Sequence, residues 1–420
     1  MNLTIRISKE NIWLKMATIF YIVVIICFEY DMSNFNKTIT AIASMVLVLT
    51  AFMTVIKNRN FRKIENAFTY VMLQAIFLIY SLISTIWSFS ITQSFSIFRL
   101  LVMIILSQFA LVVLCSYYQN YKYVIIELIL FVLVLIMIKT LMVTPVSAYG
   151  NVRRFIRYAG YNKNIFGMMY AMGSFLAIYM FDLRQKRKYL AYSLLLLIMA
   201  LLAQSRKSVL MLLLFIPLYI ILKSRKWEKV RNIVLIGCFI ALFSYFVLYN
   251  NALYDIIGRR IVNLYISFTG SEAYTDGSIT ERAIMRKVAM QLTIQKPILG
   301  WGANYFASYF KSYSVMGRYA YCHCNYLELT VSYGIIGAFF FYLPYLYIII
   351  KNIGGIKEHN KESIFNIVFF LVLFLMEYGL VSYYEPLFGL FKILSVLLLD
   401  NPKSAVIYAN TDEHQRVIGA

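Results

Sequence analysis

Long apolar runs broken by short polar turns dominate the chain. Residues 12–30, 123–143 and 325–350 reach or exceed the roughly 20 residues that a helix needs to cross the ~30 Å hydrocarbon core of a bilayer. They are apolar on every face, unlike the alternating ~10-residue strands of an outer-membrane barrel. Reading the polar breaks as turns predicts helices over 12–30, 40–56, 68–89, 96–116, 123–143, 164–181, 189–204, 208–223, 232–250, 325–350, 364–381 and 383–399. The expected fold is all-α: a polytopic integral membrane protein with about twelve transmembrane helices. About nine of these fall in 1–250 and about three in 325–399. Between them, 251–324 is expected to form one large extracytoplasmic loop with short helices, and 400–420 a cytoplasmic tail. The first run is of span length with no small-residue cleavage site after it, so it is expected to stay in place.

Composition supports this reading. Hydrophobic residues make up 61% of the 420 positions and charged residues 14%, against about 25% charged in a soluble domain. A water-soluble core could not hide so much apolar surface. The formal charge of +21 invites a nucleic-acid reading. However, the basic residues are scattered between the spans instead of gathered in one soluble module, so no nucleic-acid partner is expected. Cys27, Cys115, Cys238, Cys322 and Cys324 form no disulfide framework: three lie in spans and the other two are separated by one residue.

Lys and Arg accumulate in short cytoplasmic loops, and that rule orients the chain. Lys57, Arg59, Arg62 and Lys63 mark one inner loop, and Arg184, Lys186, Arg187 and Lys188 the next. Lys223, Arg225, Lys226, Lys229 and Arg231 mark a third, and Lys351, Lys357 and Lys361 a fourth. Both termini are then cytoplasmic. Several cations break the pattern by falling outside: Arg153, Arg154, Arg157 and Lys163, then Arg206 and Lys207, then Arg259, Arg260, Arg282 and Arg286. A long loop translocates largely regardless of charge, which accounts for the last group better than for the short turn at Arg206.

These exceptions are the candidates for chemistry. The turn 204–208 separates two runs of only about 16 residues, short for complete spans, so Arg206 is placed below the outer surface. A guanidinium there needs a partner or a wet cavity, and a phosphate matches it bidentately; snorkelling to headgroups is the plainer alternative. Within 275–295, a capping-rich start and Pro297 beyond the end predict a helix. Arg282 and Arg286, four apart, share one face of it, either as an anion clamp or as a solvated surface. His323 is the one histidine of three expected outside, where its near-neutral pKa suits a general base for a sugar hydroxyl, or else a structural hydrogen bond. Zinc is a weak reading, because Cys322, His323 and Cys324 are adjacent instead of spaced. Gly300-Trp301-Gly302 after Pro297 could shape a sugar pocket on an aromatic platform. Gly334 and Gly337 form a small-x-x-small step that permits close helix approach. Glu127, Lys139, Glu377 and Glu385 are further charges within or beside spans, with no partner legible in the sequence.

In order, these features resemble the O-antigen ligase and Wzy-type polysaccharide polymerase family over roughly residues 70 to 350. The resemblance rests on Trp87-Ser88, on Gly160 with Asn164, on Ser205-Arg206 with Leu210, and on Arg282 followed by Pro297, Gly300 and Gly302. It ends on His323 with Gly334 and Gly337. Cys324 stands where the family usually has Asn, Ser or Gln, with Asn325 one place later. The resemblance implies a GT-C-like helical glycosyltransferase using a lipid-linked donor, with no nucleotide sugar, no cofactor and no required metal. It implies that Arg206 and Arg282 hold the donor pyrophosphate while His323 deprotonates or orients the acceptor. Arg153, Arg157, Asn164, Arg286, Gly300, Gly302 and Asn325 are the expected substrate-binding positions. Implied partners are an undecaprenyl-pyrophosphate-linked glycan as donor and acceptor, membrane lipids, and a chain-length regulator and flippase as accessories. Polymerase is the favoured activity, and ligase-type transfer to a lipid or protein the alternative. A twelve-span flippase is the rival from another class, although no internal repeat of the transporter kind is visible.

Overall fold

The structure is a computed structural model. It describes residues 12–28, 34–58, 64–118, 120–143, 162–203, 205–250, 277–313 and 319–400, with positions 254, 258 and 262. In chain order the helices are α1 (Ile12–Phe28), α2 (Asn34–Lys57), α3 (Glu65–Ile83), α4 (Ile91–Tyr117), α5 (Tyr121–Val143), α6 (Lys163–Arg184), α7 (Arg187–Leu202), α8 (Arg206–Lys223) and α9 (Lys226–Tyr249). There follow α10 (Gly277–Gln295), α11 (Tyr305–Tyr313), α12 (Asn325–Lys357), α13 (Lys361–Met376) and α14 (Pro386–Leu399). Among the described residues there is no strand. A helix covers each of the twelve segments read from the apolar runs. Seven of these helices, α2 to α6, α9 and α12, are long and apolar enough to cross a membrane. The protein is thus an all-helical, polytopic membrane protein. In α9 only 6% of the apolar stretch is buried, an exposure of hydrophobic surface that water does not tolerate on this scale.

Local chemistry sets the helix ends. Asn162 and Asn360 cap α6 and α13, accepting the amides of Asn164 at 3.0 Å and Ser363 at 2.9 Å. Gln185 closes α6 in the left-handed conformation, with φ 52°. Pro386 opens α14, where its missing N–H costs nothing.

In the bundle α6 packs on α7, α8 on α6 and α13, α12 on α13 and α3, and α14 on α4. Several of its charges are paired. Glu127 accepts from Arg184 at 2.7 Å and from Lys188 at 3.3 Å. The Lys122 ammonium donates to the carbonyls of Leu397 and Asp400 at 2.9 and 2.8 Å. A second, smaller core folds the hydrophilic segment onto the start of α12: Met285, Val288 and Leu292 of α10 meet Phe306 and Phe310 of α11, Cys322, Cys324 and Val331.

The glycine-rich stretch has a different job from the one its sequence suggests. Gly334 breaks α12, with φ 68° and ψ −174°, a region open to little but glycine. Residues 297–302 lie across this break. The amides of Trp301 and Gly302 donate to the carbonyls of Val331 and Ser332 at 2.8 and 2.9 Å, and the Ile335 amide donates to Pro297 at 2.8 Å. The backbone of 297–302, not a neighbouring helix, makes the close approach at Gly334. Gly337 does face a helix, with Tyr80 of α3 beside it. Trp87 and Ser88 hold the other side. The Trp87 indole donates to the Leu299 carbonyl at 3.1 Å, and Gly302 lies against Ser88 so closely that a Cβ would stand 2.5 Å from the serine's. Trp301 stacks on Tyr305 at 4.7 Å and donates its indole N–H to Leu292 at 2.9 Å. Trp87-Ser88, Gly300-Trp301-Gly302 and Gly334 therefore form one brace, which fixes the exit of α10.

Candidate functional site

Two turns and one helix bring the predicted cations to the same end of the bundle. The turn before α8 is tied down from both sides. The Ser205 hydroxyl donates to Asn164 Oδ1 at 3.0 Å, and Ser208 donates to the Ala200 carbonyl at 2.9 Å. Gly167 admits this close approach, because a Cβ there would stand 2.7 Å from Ser208 Oγ. The turn thereby presents Arg206 and Lys207, both half-buried.

Helix α10 brings its arginines to this turn. Arg282 acts electrostatically on Lys207, as Arg206 does. One helical turn later, the Arg286 guanidinium lies 5.2 Å from the centre of the Tyr378 ring. Burial pushes the Cys324 thiol up, and Arg286 opposes that rise from nearby. Arg282 also bears on Tyr321: burial pushes this phenol up, Glu385 adds to the rise, and Arg282 counters it. The Tyr321 and His323 rings lie 4.2 Å apart. Electrostatic influence links Arg206 and Lys207 to Arg282, and Arg282 and Glu385 to Tyr321, whose ring lies against His323.

His323 is held in the left-handed conformation, with φ 57°. Its neighbours explain how a bulky residue stays there. The Cys322 amide donates to Glu328 Oε2 at 2.9 Å, and the Cys322 thiol donates to the Cys324 carbonyl at 3.0 Å. Asn325, next in line, is fully buried and clamped. Its amide donates to the Glu377 carbonyl at 2.8 Å and its side chain to Glu377 Oε2 at 3.1 Å, while its Oδ1 accepts the Ser382 amide at 3.1 Å.

Glu377, at the end of α13, is the hub of that clamp. Besides Asn325 it accepts the hydroxyls of Tyr342 at 2.6 Å, Tyr345 at 2.7 Å and Ser382 at 2.6 Å. The buried Lys392 donates to the Tyr345 hydroxyl at 3.2 Å, so a cation stands one hydroxyl away from the carboxylate. Four donors and a nearby ammonium make a buried carboxylate tolerable. The hub ties the start of α12, just after His323, to the 377–382 turn that carries Tyr378 under Arg286.

Of the residues read from the sequence, Arg206, Arg282, Arg286, His323 and Asn325 are gathered at this end. Asn164 holds the Ser205 turn, and Gly300 and Gly302 sit in the brace behind α10. Arg153 and Arg157, with Arg154, Gly160, Arg259 and Arg260, lie outside the described residues. Sequence reasoning counted Lys207 among the cations that break the charge rule but gave it no role, and passed over Tyr321. It left Glu377 without partners because they come from residues 325 to 382. Tyr321 carried one signal, its place two residues before His323.

Cations beside a histidine thus gather at one end of a helical membrane bundle. Residues 191–342 match the family model described as O-antigen ligase, which bears out over this segment the likeness carried by the motifs. The matched stretch contains Arg206, Lys207, Arg282, Arg286 and His323. A search of curated proteins found no match to the chain.

Proposed function

We propose that the protein transfers glycan from a lipid pyrophosphate to a sugar hydroxyl at the outer face of the cytoplasmic membrane, as a Wzy-type polymerase of polysaccharide repeat units. The observation that supports it is the convergence of the Arg206–Lys207 turn, the arginine face of α10 and His323. In this reading Arg206 and Arg282 hold the donor pyrophosphate, and His323 accepts the proton of the acceptor hydroxyl. The acceptor oxygen bonds to the anomeric carbon as the bond from that carbon to the pyrophosphate oxygen breaks. The lipid pyrophosphate then leaves as an anion among the arginines. One well-placed donor to such a developing charge is typically worth ~3 kcal/mol. The donor is already activated by its pyrophosphate, so no nucleotide sugar enters. The bundle is then GT-C-like, with twelve crossings and both termini cytoplasmic, so that the site faces outward.

Ligase-type transfer to a lipid or protein acceptor is the second reading, favoured by the description of the matching family. The lipid-linked products of a deletion strain separate the two. Single repeat units mean a lost polymerase, and polymer accumulated on the carrier means a lost ligase. Elongation of a synthetic lipid-pyrophosphate repeat unit by the purified protein tests the polymerase directly. A protein that leaves the unit unlengthened, or moves it across vesicles instead, refutes that reading.

A further inference from the structure

The polar groups buried between α3, α4, α12 and α14 do not balance among themselves. Lys392 lies in α14, about two turns past Glu385, and is 3% exposed. An ammonium carries three donor hydrogens. Among the described residues one acceptor meets them, the Tyr345 hydroxyl at 3.2 Å. The Phe341 and Tyr345 rings lie nearby, their centres 5.4 and 5.3 Å from the nitrogen. The opposite imbalance stands on α3 and α4. Gln108 is 1% exposed, and its amide nitrogen donates to the Gly389 carbonyl at 3.0 Å. The amide nitrogen of Gln74 donates to the Tyr70 hydroxyl at 3.1 Å. These bonds set which end of each amide is the oxygen. Both oxygens are buried, and among the described residues neither accepts a hydrogen bond. A buried acceptor left so is costly unless something donates to it.

Lys392, Gln74 and Gln108 line one cavity, together with Tyr345, Ser382 and Gly389. Its volume is about 20 Å³, counted as the space open to the centre of a water molecule. One water needs roughly 10–15 Å³ on that measure, so the cavity fits a water and is too small for an organic ligand. Charge narrows the choice further. An anion would face two carbonyl oxygens, and a metal cation would face the ammonium. A neutral molecule that accepts from the ammonium and donates to the oxygens suits all three, and water does so with both of its hydrogens.

We propose that this cavity is an internal water site, in which one water accepts from Lys392 Nζ and donates to Gln74 Oε1 and Gln108 Oε1. The water solvates a cation inside the bundle, where an ammonium needs such partners. The Tyr345 hydroxyl joins that ammonium to Glu377. The site thereby supports the carboxylate that clamps Asn325 behind His323, whichever transfer the outer end carries out.

The test is an electron-cryomicroscopy map of the purified full chain in lipid nanodiscs, at a resolution that shows ordered water. A peak is expected within ~3.2 Å of Lys392 Nζ, Gln74 Oε1 and Gln108 Oε1, unchanged when chloride in the buffer is replaced by gluconate. The proposal is overturned by a cavity without a peak, by a peak that leaves either glutamine oxygen unbonded, or by one that vanishes without chloride. A double-mutant cycle gives a second reading. Lys392→Met and Gln108→Met should each lower the melting temperature, and together by less than the sum of the two, because either change already breaks the bridge. The bond from Gln108 to Gly389 is lost in both arms that carry Gln108→Met, so it drops out of the comparison. Additive shifts overturn the bridge. Where a variant does not fold, the wild-type map decides alone.

Discussion

Gly334→Ala isolates the brace behind α10. The native backbone there has φ 68° and ψ −174°, so any side chain carries about 1–3 kcal/mol of conformational strain. The new Cβ would also stand 2.0 Å from the Ile298 carbonyl oxygen. That atom belongs to backbone, so no rotamer change relieves the clash and residues 297–302 must move away. The move breaks the bonds at 2.8, 2.9 and 2.8 Å that join Trp301, Gly302 and Ile335 across the break. At about 1 kcal/mol each, the total loss is about 4–6 kcal/mol. The control is Gly354→Ala in the same helix, where nothing lies within 4 Å of an added Cβ; alanine there should be neutral, or stabilising by up to about 1 kcal/mol. Thermal unfolding of both variants in one detergent reads the ranking, which survives irreversible unfolding as long as scan rates match. A Gly334→Ala protein that melts with Gly354→Ala and wild type refutes the brace.

Three further outcomes follow from the site. Arg206→Ala and His323→Ala should each abolish long-chain polymer on a polysaccharide gel at unchanged protein level, a loss of 100-fold or more at ~3 kcal/mol per donor; wild-type chain lengths in either refute the assignment. Glu377→Leu strands the donors of Asn325, Tyr342, Tyr345 and Ser382, at about 1–3 kcal/mol for each left buried and unpaired. Glu377→Gln keeps an acceptor and should lower the melting temperature much less, so equal losses would mean that the hub is not what the carboxylate supplies. Trp87→Phe removes the indole bond to Leu299 and should cost about 1 kcal/mol, read as a small downward shift in the same melt.

By itself the sequence determined the all-helical, polytopic membrane class, the end of α10 before Pro297, and a short set of cations with a histidine to test. Those are local properties: span length, capping and charge between runs are written in consecutive residues. Orientation by charge also singled out Arg206, Arg282 and His323, because a cation on the wrong side stands out without any neighbour being known. Only the tertiary structure decided what the glycines and the buried charges do. The Gly300-Trp301-Gly302 stretch reads as an open aromatic turn until Gly334 and Ser88, distant in the chain, are laid against it. Glu377 reads as an unexplained buried acid until Asn325 and three hydroxyls close on it. Lys207 reads as one misplaced cation among several until Arg282 arrives from α10. In each case the deciding energy is steric exclusion, a buried hydrogen bond or like-charge repulsion between residues far apart in sequence, and such terms exist only once the chain has folded.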